Sequence, residues 1–519
     1  MKVPSLLTAL ISLVLHFDAL TCEIHGKVFF DENENGVLDN HENLLPDVML
    51  SNGLDIVSTQ HDGGFTLKRA SGNFIFVIDP AGYRSPLNAL MHRNFYQTID
   101  IEHSCDSNLH FPLVKTDISE DFSFAVFADP QPDSDKQLNY FKQTIINRFE
   151  GDEIDFGITL GDLVANDLNM IEPVLKSTAS LQKPWYTVIG NHDIDYSSKS
   201  DEESSKYFEQ LLGPKTYAFI QGKVGFLILD NVRYPDPRDG IRYQADLSAQ
   251  DLHFAVNFLQ LLPKDYALVI AFHMPLDDQF DGWNLTSRET LISHLNDFNK
   301  VLILSGHTHL QQNLLHRNEI GRLNEIPINE FNVGTTSGDW FKGELDSKML
   351  PLAQMRDGTP QGYAEVHFSN TQYTFKYVVT SEHFTDDFNI YAPKSIIHGQ
   401  RRSPWIYVNH YIGNELTKVE FRVGPSGWLK MEQVKEYDPS YLVNLFKWDV
   451  LKEPFPGNRP SNPEISTHLW KATLPKDLPL GLHIIEVRVT DMFGVVSTQQ
   501  REVSVIAIKS GETQSASIN

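Results

Sequence analysis

The sequence predicts a three-part protein in which an α/β domain lies between two β-sandwiches. Its 519 residues suffice for about three domains of ordinary size. Residues 22–116 and 400–508 carry short strand candidates separated by Gly- and Pro-containing turns, a pattern typical of β-sandwiches. Residues 119–382 alternate apolar strand candidates with helical stretches, which indicates an α/β domain built on buried strands.

Composition and charge exclude several classes of protein. Charged residues make up 21% and hydrophobic residues 41%, so the chain is neither disordered nor fibrous. The formal net charge of −25 disfavours general nucleic-acid binding and electrostatic docking on an anionic membrane. The two cysteines, Cys22 and Cys105, exclude a cysteine-based zinc or iron–sulfur site. Any metal must therefore be held by His, Asp, Glu, Asn or Gln.

Residues 1–21 are predicted to be an export signal. Lys2 precedes an apolar run over 5–17, which is shorter than the roughly 20 residues of a membrane span, and no later run reaches that length. We expect a periplasmic, secreted or cell-surface protein, with an uncleaved anchor, an unusual cytosolic N-terminus or a lipid on Cys22 as the alternatives. In an oxidising compartment Cys22 and Cys105 would form a disulfide, the alternative being two unpaired thiols.

The N-terminal domain is predicted from the strand candidates GKVFF, VML, GFTL and FIFVI. After the first of them, residues 31–42 match the calcium-loop pattern D-x-N-x-N-G-x-x-D-x-x-E, with Gly36 at the sharp turn. The oxygen donors would be the Val37 carbonyl and the side chains of Asp31, Asn33, Asn35, Asp39 and Glu42. Because a strand precedes the loop, we expect a structural calcium in a β-domain. The alternative is an ordinary solvated turn.

The central domain is predicted from the strands FSFAVFA, DFGITL, WYTVI, GFLIL, ALVIAF and VLILS. Helices are predicted between them, among them 136–149 and 248–262, the second capped by Ser248. Segments near 311–318, 329–335, 362–368 and 372–379 are predicted to be more purely β.

Polar residues follow five of these strands, where the carboxyl ends of a sheet form binding sites. The five segments are Asp129-Pro130-Gln131, Gly161-Asp162, Gly190-Asn191-His192-Asp193, His273 and Gly306-His307-Thr308-His309. Carboxylate, imidazole and amide oxygen suit two adjacent divalent metals, which can clamp a phosphate and acidify water. A single such residue is usually a turn former or a core histidine, but five in order at strand ends predict one metal site.

This set of motifs resembles the calcineurin-like metallophosphoesterases, whose pattern is D-x-H, GD, GNH-D/E, a later His and GHxH. The resemblance covers roughly residues 120–380 and four of the five motifs. The flanks are similar to the β-domains of a secreted bacterial subgroup. The resemblance implies a four-layer αββα core with two mixed sheets, two divalent metal ions, and a hydrolase acting on phosphoric ester bonds.

The resemblance also implies roles for individual residues. The first metal would be bound by Asp129, His309 and the bridging Asp162, and the second by Asp162, Asn191, His273 and His307. A metal-bound hydroxide would be the nucleophile. His192 would stabilise the transition state or protonate the leaving group, and Asp193 would orient His192.

Gln131 departs from the family pattern because the first motif usually ends in His. Its amide oxygen can bind a metal, though more weakly than an imidazole does. Some relatives also carry D-P-Q, so the departure does not imply inactivation. The metal is expected to be Mn, Fe or Zn, and a shell richer in oxygen shifts the preference towards Mn or Mg.

Three residues are candidates for substrate contact. Thr336 and Trp340 lie in a loop of small residues over 334–340, where Trp340 would stack on an apolar or ring-bearing leaving group. Arg233 would bind a phosphate oxygen. The alternatives are a structural tryptophan in an ordinary loop and an arginine engaged in an ion pair.

The C-terminal sandwich is predicted from WIYVNHYI, KVEFRV, LHIIEVRVTD and QQREVSVIAI, followed by a disordered tail over 509–519. We therefore expect an exported enzyme that hydrolyses phosphate mono- or diesters of small organophosphates. The alternative is a surface binding or adhesion protein with a degenerate phosphoesterase core.

Overall fold

The computed structural model describes residues 23–68, 72–99, 108–234, 243–276, 283–317, 326–453 and 455–507. The predicted export signal, Cys22, Cys105 and the 509–519 tail lie outside these residues, so those predictions stay predictions. Within the described ranges, none of the helices is both long and apolar enough to cross a membrane.

The N-terminal domain is a β-sandwich, as predicted. Its strands are β1 (Glu23–Phe30), β2 (Met49–Ser51), β3 (Ile56–Ser58), β4 (Gly64–Lys68), β5 (Phe74–Ile78), β6 (Tyr83–Arg84), β7 (Tyr96–Thr98) and β8 (Asn108–Lys115). They form two four-stranded sheets, ordered β4-β1-β8-β6 and β3-β2-β5-β7. Alternate residues of β1 such as Ile24 and Val28 are buried, which is the period of a strand with one face in a core.

The central domain contains the predicted strands, each close to its predicted position. They are β9 (Asp121–Phe127), β10 (Phe156–Thr159), β11 (Trp185–Thr187), β12 (Tyr217–Gln221), β13 (Val224–Ile228), β14 (Val232–Arg233), β15 (Gln244–Ala245), β16 (Ala267–Ala271), β17 (Val301–Ser305), β18 (Gln312–His316), β19 (Ile328–Asn332), β20 (Gly343–Glu344), β21 (Gly362–Ser369) and β22 (Gln372–Val379). One sheet has the order β11-β10-β9-β21-β22 and the other β12-β13-β16-β17-β19-β18. Both sheets are mixed, since parallel strands at their centres adjoin antiparallel ones.

Helices connect these strands. They are α1 (Asp135–Thr144), α2 (Ile171–Ala179), α3 (Asp201–Ser204), α4 (Lys206–Leu212), α5 (Ala249–Leu261) and α6 (Leu285–His294). The predicted cap of α5 is confirmed, because the Ser248 hydroxyl accepts a hydrogen bond from the Asp251 N–H at 3.0 Å. The helix predicted over 136–149 is shorter, since α1 ends at Thr144 and a 3-10 turn over Ile146–Arg148 follows.

The two central sheets pack face to face through aromatic side chains. Phe124 of one sheet contacts Phe226 of the other with ring centroids 5.5 Å apart, and Phe331 stacks on Phe375 at 4.3 Å. Helix α1 contacts α2, and α5 contacts α6, which supplies the outer layers of the four-layer core. The N-terminal domain joins the same buried cluster, for example through Phe76 and Phe254 at 5.6 Å.

The C-terminal domain is a second β-sandwich with one added helix. Its elements are β23 (Phe388–Tyr391), β24 (Ser395–Ile397), β25 (Trp405–His410), β26 (Lys418–Val423), β27 (Leu429–Lys430), β28 (Glu432–Tyr437), α7 (Pro439–Val450), β29 (Gly457–Asn458), β30 (Ile465–Thr473), β31 (Gly481–Thr490) and β32 (Val496–Ile506). The two main sheets are ordered β23-β25-β30-β28 and β24-β32-β31-β26-β27, and they enclose a separate hydrophobic core. Helix α7 was not predicted, although Asp438 caps it by accepting from the Tyr441 N–H at 2.8 Å and Pro439 occupies its first turn.

Candidate metal centre

The two central sheets bring the five predicted segments to one place. Strands β9, β10 and β11 are parallel, with Thr159 paired to both Phe127 and Thr187, so the segments that follow them leave the same sheet edge. Strands β16 and β17 are parallel in the second sheet and place His273 and the His307 segment at its corresponding edge. The side chains of Asp162, His273 and His307 offer ligand atoms within 4.8 Å of one another, the one such group among the described residues.

The Nε2 atom of His273 is the centre of one cluster of metal-ligand atoms. It lies 2.9 Å from Asn191 Oδ1, 3.1 Å from His307 Nδ1 and 3.3 Å from Asp162 Oδ1. The other ring nitrogen, Nδ1, is 2.8 Å from the Leu160 carbonyl, to which it donates its proton. In the neutral ring Nε2 therefore carries a lone pair, and the four residues direct electron-rich atoms at one point.

The electron-rich atoms around this point favour a positive charge there. Burial lowers the pKa of His273, but the charge of Asp162 and its hydrogen bond outweigh burial and raise that pKa to about 9. Without a metal, a proton on His273 supplies this positive charge. A divalent cation would balance the negative charge better, because four ligand atoms already converge there. The donor set thus fits the second of the predicted metal positions.

Asp129 and His309 form the neighbouring cluster. His309 Nε2 lies 3.7 Å from Asp129 Oδ1, and its Nδ1 is 3.3 Å from the Gly338 carbonyl. Burial lowers the pKa of His309 to about 3, so the ring is neutral and its Nε2 lone pair points towards the carboxylate. Burial also raises the pKa of Asp129 to about 8. The neutral imidazole and the buried carboxyl group both offer ligand atoms, which fits the first predicted metal position.

Asp162, a member of the His273 cluster, has a different hydrogen-bond partner on each oxygen. Its Oδ1 accepts the His192 backbone N–H at 2.8 Å, and its Oδ2 accepts from Gln131 Nε2 at 2.8 Å. Burial alone would raise the pKa of Asp162, but the nearby imidazoles, His273 first, outweigh it and hold the pKa below its usual range. Asp162 therefore stays ionised, as a bridging ligand must.

His192 stands at the accessible side of the centre, with 31% of its side chain exposed. Its Nδ1 lies 2.9 Å from both the Ala165 carbonyl and Asn166 Oδ1, and its Nε2 lies 4.0 Å from Asp162 Oδ2. The prediction that Asp193 orients this ring is wrong. Buried Asp193 instead accepts from the backbone N–H groups of Gly190 at 2.9 Å and Val164 at 3.4 Å, because its side chain turns back under its own loop.

Backbone strain is concentrated at this centre. Five of the predicted metal ligands adopt left-handed φ angles, which cost non-glycine residues about 1–3 kcal/mol each and mark functional sites when they cluster. They are Asp129 (45°), Gln131 (42°), Asp162 (51°), His307 (73°) and His309 (53°).

Two asparagines outside the motifs also shape the site. Asn166 Oδ1 accepts a hydrogen bond from the Nδ1–H of His192 at 2.9 Å. Asn231 is fully buried, and its Oδ1 accepts the backbone N–H groups of His273 at 3.2 Å and Met274 at 3.1 Å. Asn231 follows strand β13 closely, so the strand-end rule that found the other segments would also have found it.

The three residues predicted to contact substrate, Thr336, Arg233 and Trp340, are each engaged by other protein groups in the structure. Thr336 is fully buried and its hydroxyl donates to the Ala128 carbonyl at 3.0 Å, which holds its loop beside Asp129. Arg233 forms an ion pair with Asp201 at 2.6 Å, the alternative considered for it. Trp340 stacks on the His309 ring with centroids 4.2 Å apart. Contact of these three residues with substrate stays a prediction.

The predicted calcium loop is closed by its own hydrogen bonds. Asp31 accepts from the N–H groups of Asn35 at 3.1 Å and Gly36 at 2.7 Å, and Glu42 accepts from Glu32 at 3.0 Å and Asp39 at 2.9 Å. The Val37 side chain is exposed. Calcium binding by this loop stays a prediction.

Three family models match successive parts of the chain. They are the N terminal of Calcineurin-like phosphoesterase over residues 32–116, Calcineurin-like phosphoesterase over 122–311, and the C terminal of Calcineurin-like phosphoesterase over 330–496. No curated protein matches the chain.

Two solved structures resemble parts of the chain. Purple acid phosphatase PPD1 from yellow lupin (Lupinus luteus) seeds is 13% identical, with 66% of this chain and 68% of that chain covered and a TM-score of 0.38. CopC from Methylosinus trichosporium OB3b is 10% identical, with 24% and 95% covered and a TM-score of 0.14. Likenesses this weak carry no conclusion about the chemistry of this chain.

Proposed function

The chain belongs to the calcineurin-like phosphoesterases, and from that premise we propose that it hydrolyses phosphate mono- or diesters of small organophosphates at a site for two divalent metals. The observation that carries the proposal is the convergence of Asp162, Asn191 and His307 on His273 Nε2, at 2.9–3.3 Å, beside the separate Asp129 and His309 pair. Asp162 also acts electrostatically on Asp129, which supports the proposal that it bridges the two metals.

We assign the first metal position to Asp129, Asp162 and His309, and the second to Asp162, Asn191, His273 and His307. The metal would be Mn, Fe or Zn, which suit mixed oxygen and imidazole ligands. When bound, such metals supply positive charge that polarises the phosphoryl group and acidifies water. The protein supplies buried, pre-oriented ligands, since hydrogen bonds to Leu160 and Gly338 fix the tautomers of His273 and His309.

His192 is proposed to handle the proton of the leaving group. Its Nδ1–H is held by Ala165 and Asn166, so its Nε2 faces the accessible side of the centre near Asp162. When Nε2 also carries a proton, the imidazolium in that position can stabilise charge on the departing oxygen or give it the Nε2 proton, which leaves the neutral ring. Asn166 is proposed to hold the ring in this orientation, the role that the sequence predicted for Asp193.

The substrate is proposed to be a small phosphate ester. A protein with a formal net charge of −25 repels long polyanions, which leaves compact esters such as nucleotides, phosphosugars and phospholipid headgroups. Export from the cell is proposed from residues 1–21 alone. Mass spectrometry of the mature protein, with and without reductant, would test the cleavage and the Cys22–Cys105 disulfide.

The test is a substrate panel on protein stripped of metal and reloaded with Mn²⁺, Fe²⁺ or Zn²⁺. Mono- and diesters of p-nitrophenol, nucleotides and phosphosugars would be compared for wild type, Asn191→Ala and the exposed control Asn169→Ala. We expect metal-dependent hydrolysis by wild type and control. Asn191→Ala should lose at least the roughly 10–100-fold that removal of an outer-shell partner costs. No turnover of any ester with any metal would refute the proposal and favour a binding protein.

A further inference from the structure

Trp340 links a loop of the central domain to the first metal position. It follows strand β19 in a strained turn, with φ of 50° at Trp340 and 54° at Phe341. Its indole N–H donates to Gln131 Oε1 at 2.7 Å, and its ring stacks on the His309 ring with an interplanar angle of 25°. The Lys342 ammonium also lies over this ring, 4.8 Å from its centroid. The indole is thus held by protein groups at its edge and its face.

The indole contact fixes which way the Gln131 amide points. An indole nitrogen can only donate a hydrogen bond, so the amide atom that faces Trp340 must be the oxygen. The amide nitrogen then faces Asp162 Oδ2 at 2.8 Å, to which it donates. Turning the amide over would set two donors against each other at Trp340 and two acceptors against each other at Asp162. Each such mismatch would leave buried polar atoms without a hydrogen bond, which is destabilising.

We propose that Gln131 is not a ligand of the first metal but a hydrogen-bond donor to the bridging carboxylate of Asp162. In this proposal Trp340 is a positioning residue that holds the Gln131 oxygen away from the metal. The first metal then has three protein ligands, Asp129, Asp162 and His309, and lacks the histidine that the family pattern places at position 131. This inference rests on the proposed function and refines the site it assigns.

The C-terminal domain holds the loop that carries Trp340. Asp339 Oδ2 accepts from the Ser461 N–H at 2.6 Å, and Lys342 Nζ donates to the Ser461 hydroxyl at 2.8 Å. Strand β20, directly after this loop, pairs with strand β29 of the C-terminal domain. A continuous set of contacts therefore connects the C-terminal domain to Asp162 through Trp340 and Gln131. This gives that domain a role in shaping the metal site.

The direct test is a crystal structure of the Mn²⁺-loaded full chain. We expect Gln131 Oε1 to remain within hydrogen-bond distance of Trp340 Nε1 and no Gln131 atom to coordinate a metal. A metal bound by Gln131 Oε1 would overturn the inference and leave the proposed function standing. A chain that binds no divalent metal at this centre would overturn both.

A double-mutant cycle tests the positioning role in solution. Mn²⁺ titration calorimetry on metal-free protein would compare wild type, Trp340→Phe, Gln131→Met and the double variant, with Trp405→Phe on the exposed C-terminal surface as the matched control. Phenylalanine keeps an aromatic ring that can stack on His309 but is smaller than the indole and lacks the N–H donor.

We expect Trp340→Phe and Gln131→Met each to weaken one Mn²⁺ site by about tenfold, as loss of an outer-shell partner does. The double variant should be no weaker than Gln131→Met, because Trp340 acts through Gln131. Equal weakening by Trp340→Phe in both backgrounds would show that the ring matters only for packing and would overturn the positioning role. If Trp340→Phe fails to fold, the crystal structure still decides which Gln131 atom faces the metal.

Discussion

Replacing Gly190 with alanine should disable the metal centre through one added methyl group. Gly190 follows β11 and Asp162 follows the adjacent parallel strand β10, so their backbones meet where the two strands end. A Cβ atom at position 190 would lie 2.1 Å from the Asp162 nitrogen and 2.3 Å from Asp162 Oδ1, whereas ordinary contact begins at 3.4 Å. Asp162 must therefore move by about 1 Å, and a displacement of that size can cost roughly 10²-fold in rate.

Hydrogen bonds on both carboxylate oxygens restrict the movement of Asp162. Its Oδ1 accepts the His192 N–H and its Oδ2 accepts from Gln131, so a shift breaks both of these hydrogen bonds. We expect Gly190→Ala to lower Mn²⁺ affinity by about 10–100-fold and ester hydrolysis by about 10²-fold. The overpacking should also lower the free energy of unfolding by about 1–3 kcal/mol. Calorimetric Mn²⁺ titration, steady-state kinetics and urea denaturation would measure the three effects.

Two further glycines sharpen this experiment. Gly427 has an ordinary φ and open space around its added Cβ, so Gly427→Ala should match wild type in every assay. Gly306→Ala would place Cβ 2.6 Å from Asp129 Oδ2 and should weaken the first metal position instead. Wild-type Mn²⁺ stoichiometry, affinity and turnover in Gly190→Ala would refute the reasoning that the glycine is required for this close approach.

Three other outcomes follow from the structure. His192→Asn should lower kcat by about 10²–10⁴-fold, most strongly for esters with poor leaving groups, while calorimetry shows unchanged Mn²⁺ binding; an unchanged kcat would rule out proton transfer by this ring. Burial lowers the pKa of His92 to about 4. The unfolded chain therefore binds the extra proton first, and the free energy of unfolding attributable to His92 should fall by about 3 kcal/mol between pH 7 and pH 4. Urea titrations of His92→Gln should lack that component, and identical pH profiles would contradict it. Calcium at a hundredfold excess over its Kd should stabilise the fold by about 3 kcal/mol and raise Tm, an effect that Asp31→Ala should abolish; the same Tm with calcium and chelator would exclude a calcium site.

Much of the fold could be predicted because its signals are local. Apolar runs such as those of β9, β16 and β17 are short, and turn residues bound them, so each indicates a buried strand without knowledge of its neighbours. Helix α7 escaped prediction because it buries only Tyr441 and Leu445, which leaves a weak helical period. Its start signals, Asp438 and Pro439, were nevertheless present in the sequence.

The residue types of the metal centre and their order along the chain could be predicted from local patterns. Glycine before Asp162, Asn191 and His307, at the ends of successive strands, is a property of neighbours along the chain, and parallel pairing then brings the strand ends together. Only the tertiary structure decided which atoms meet. In the folded chain His192 is hydrogen-bonded to Asn166 rather than to the adjacent Asp193. Gln131 is hydrogen-bonded to Trp340, which lies more than two hundred residues away in the sequence. A hydrogen bond forms only when donor and acceptor lie about 3 Å apart. Backbone angles and packing decide which groups come that close, and the spacing of residues along the chain does not encode them.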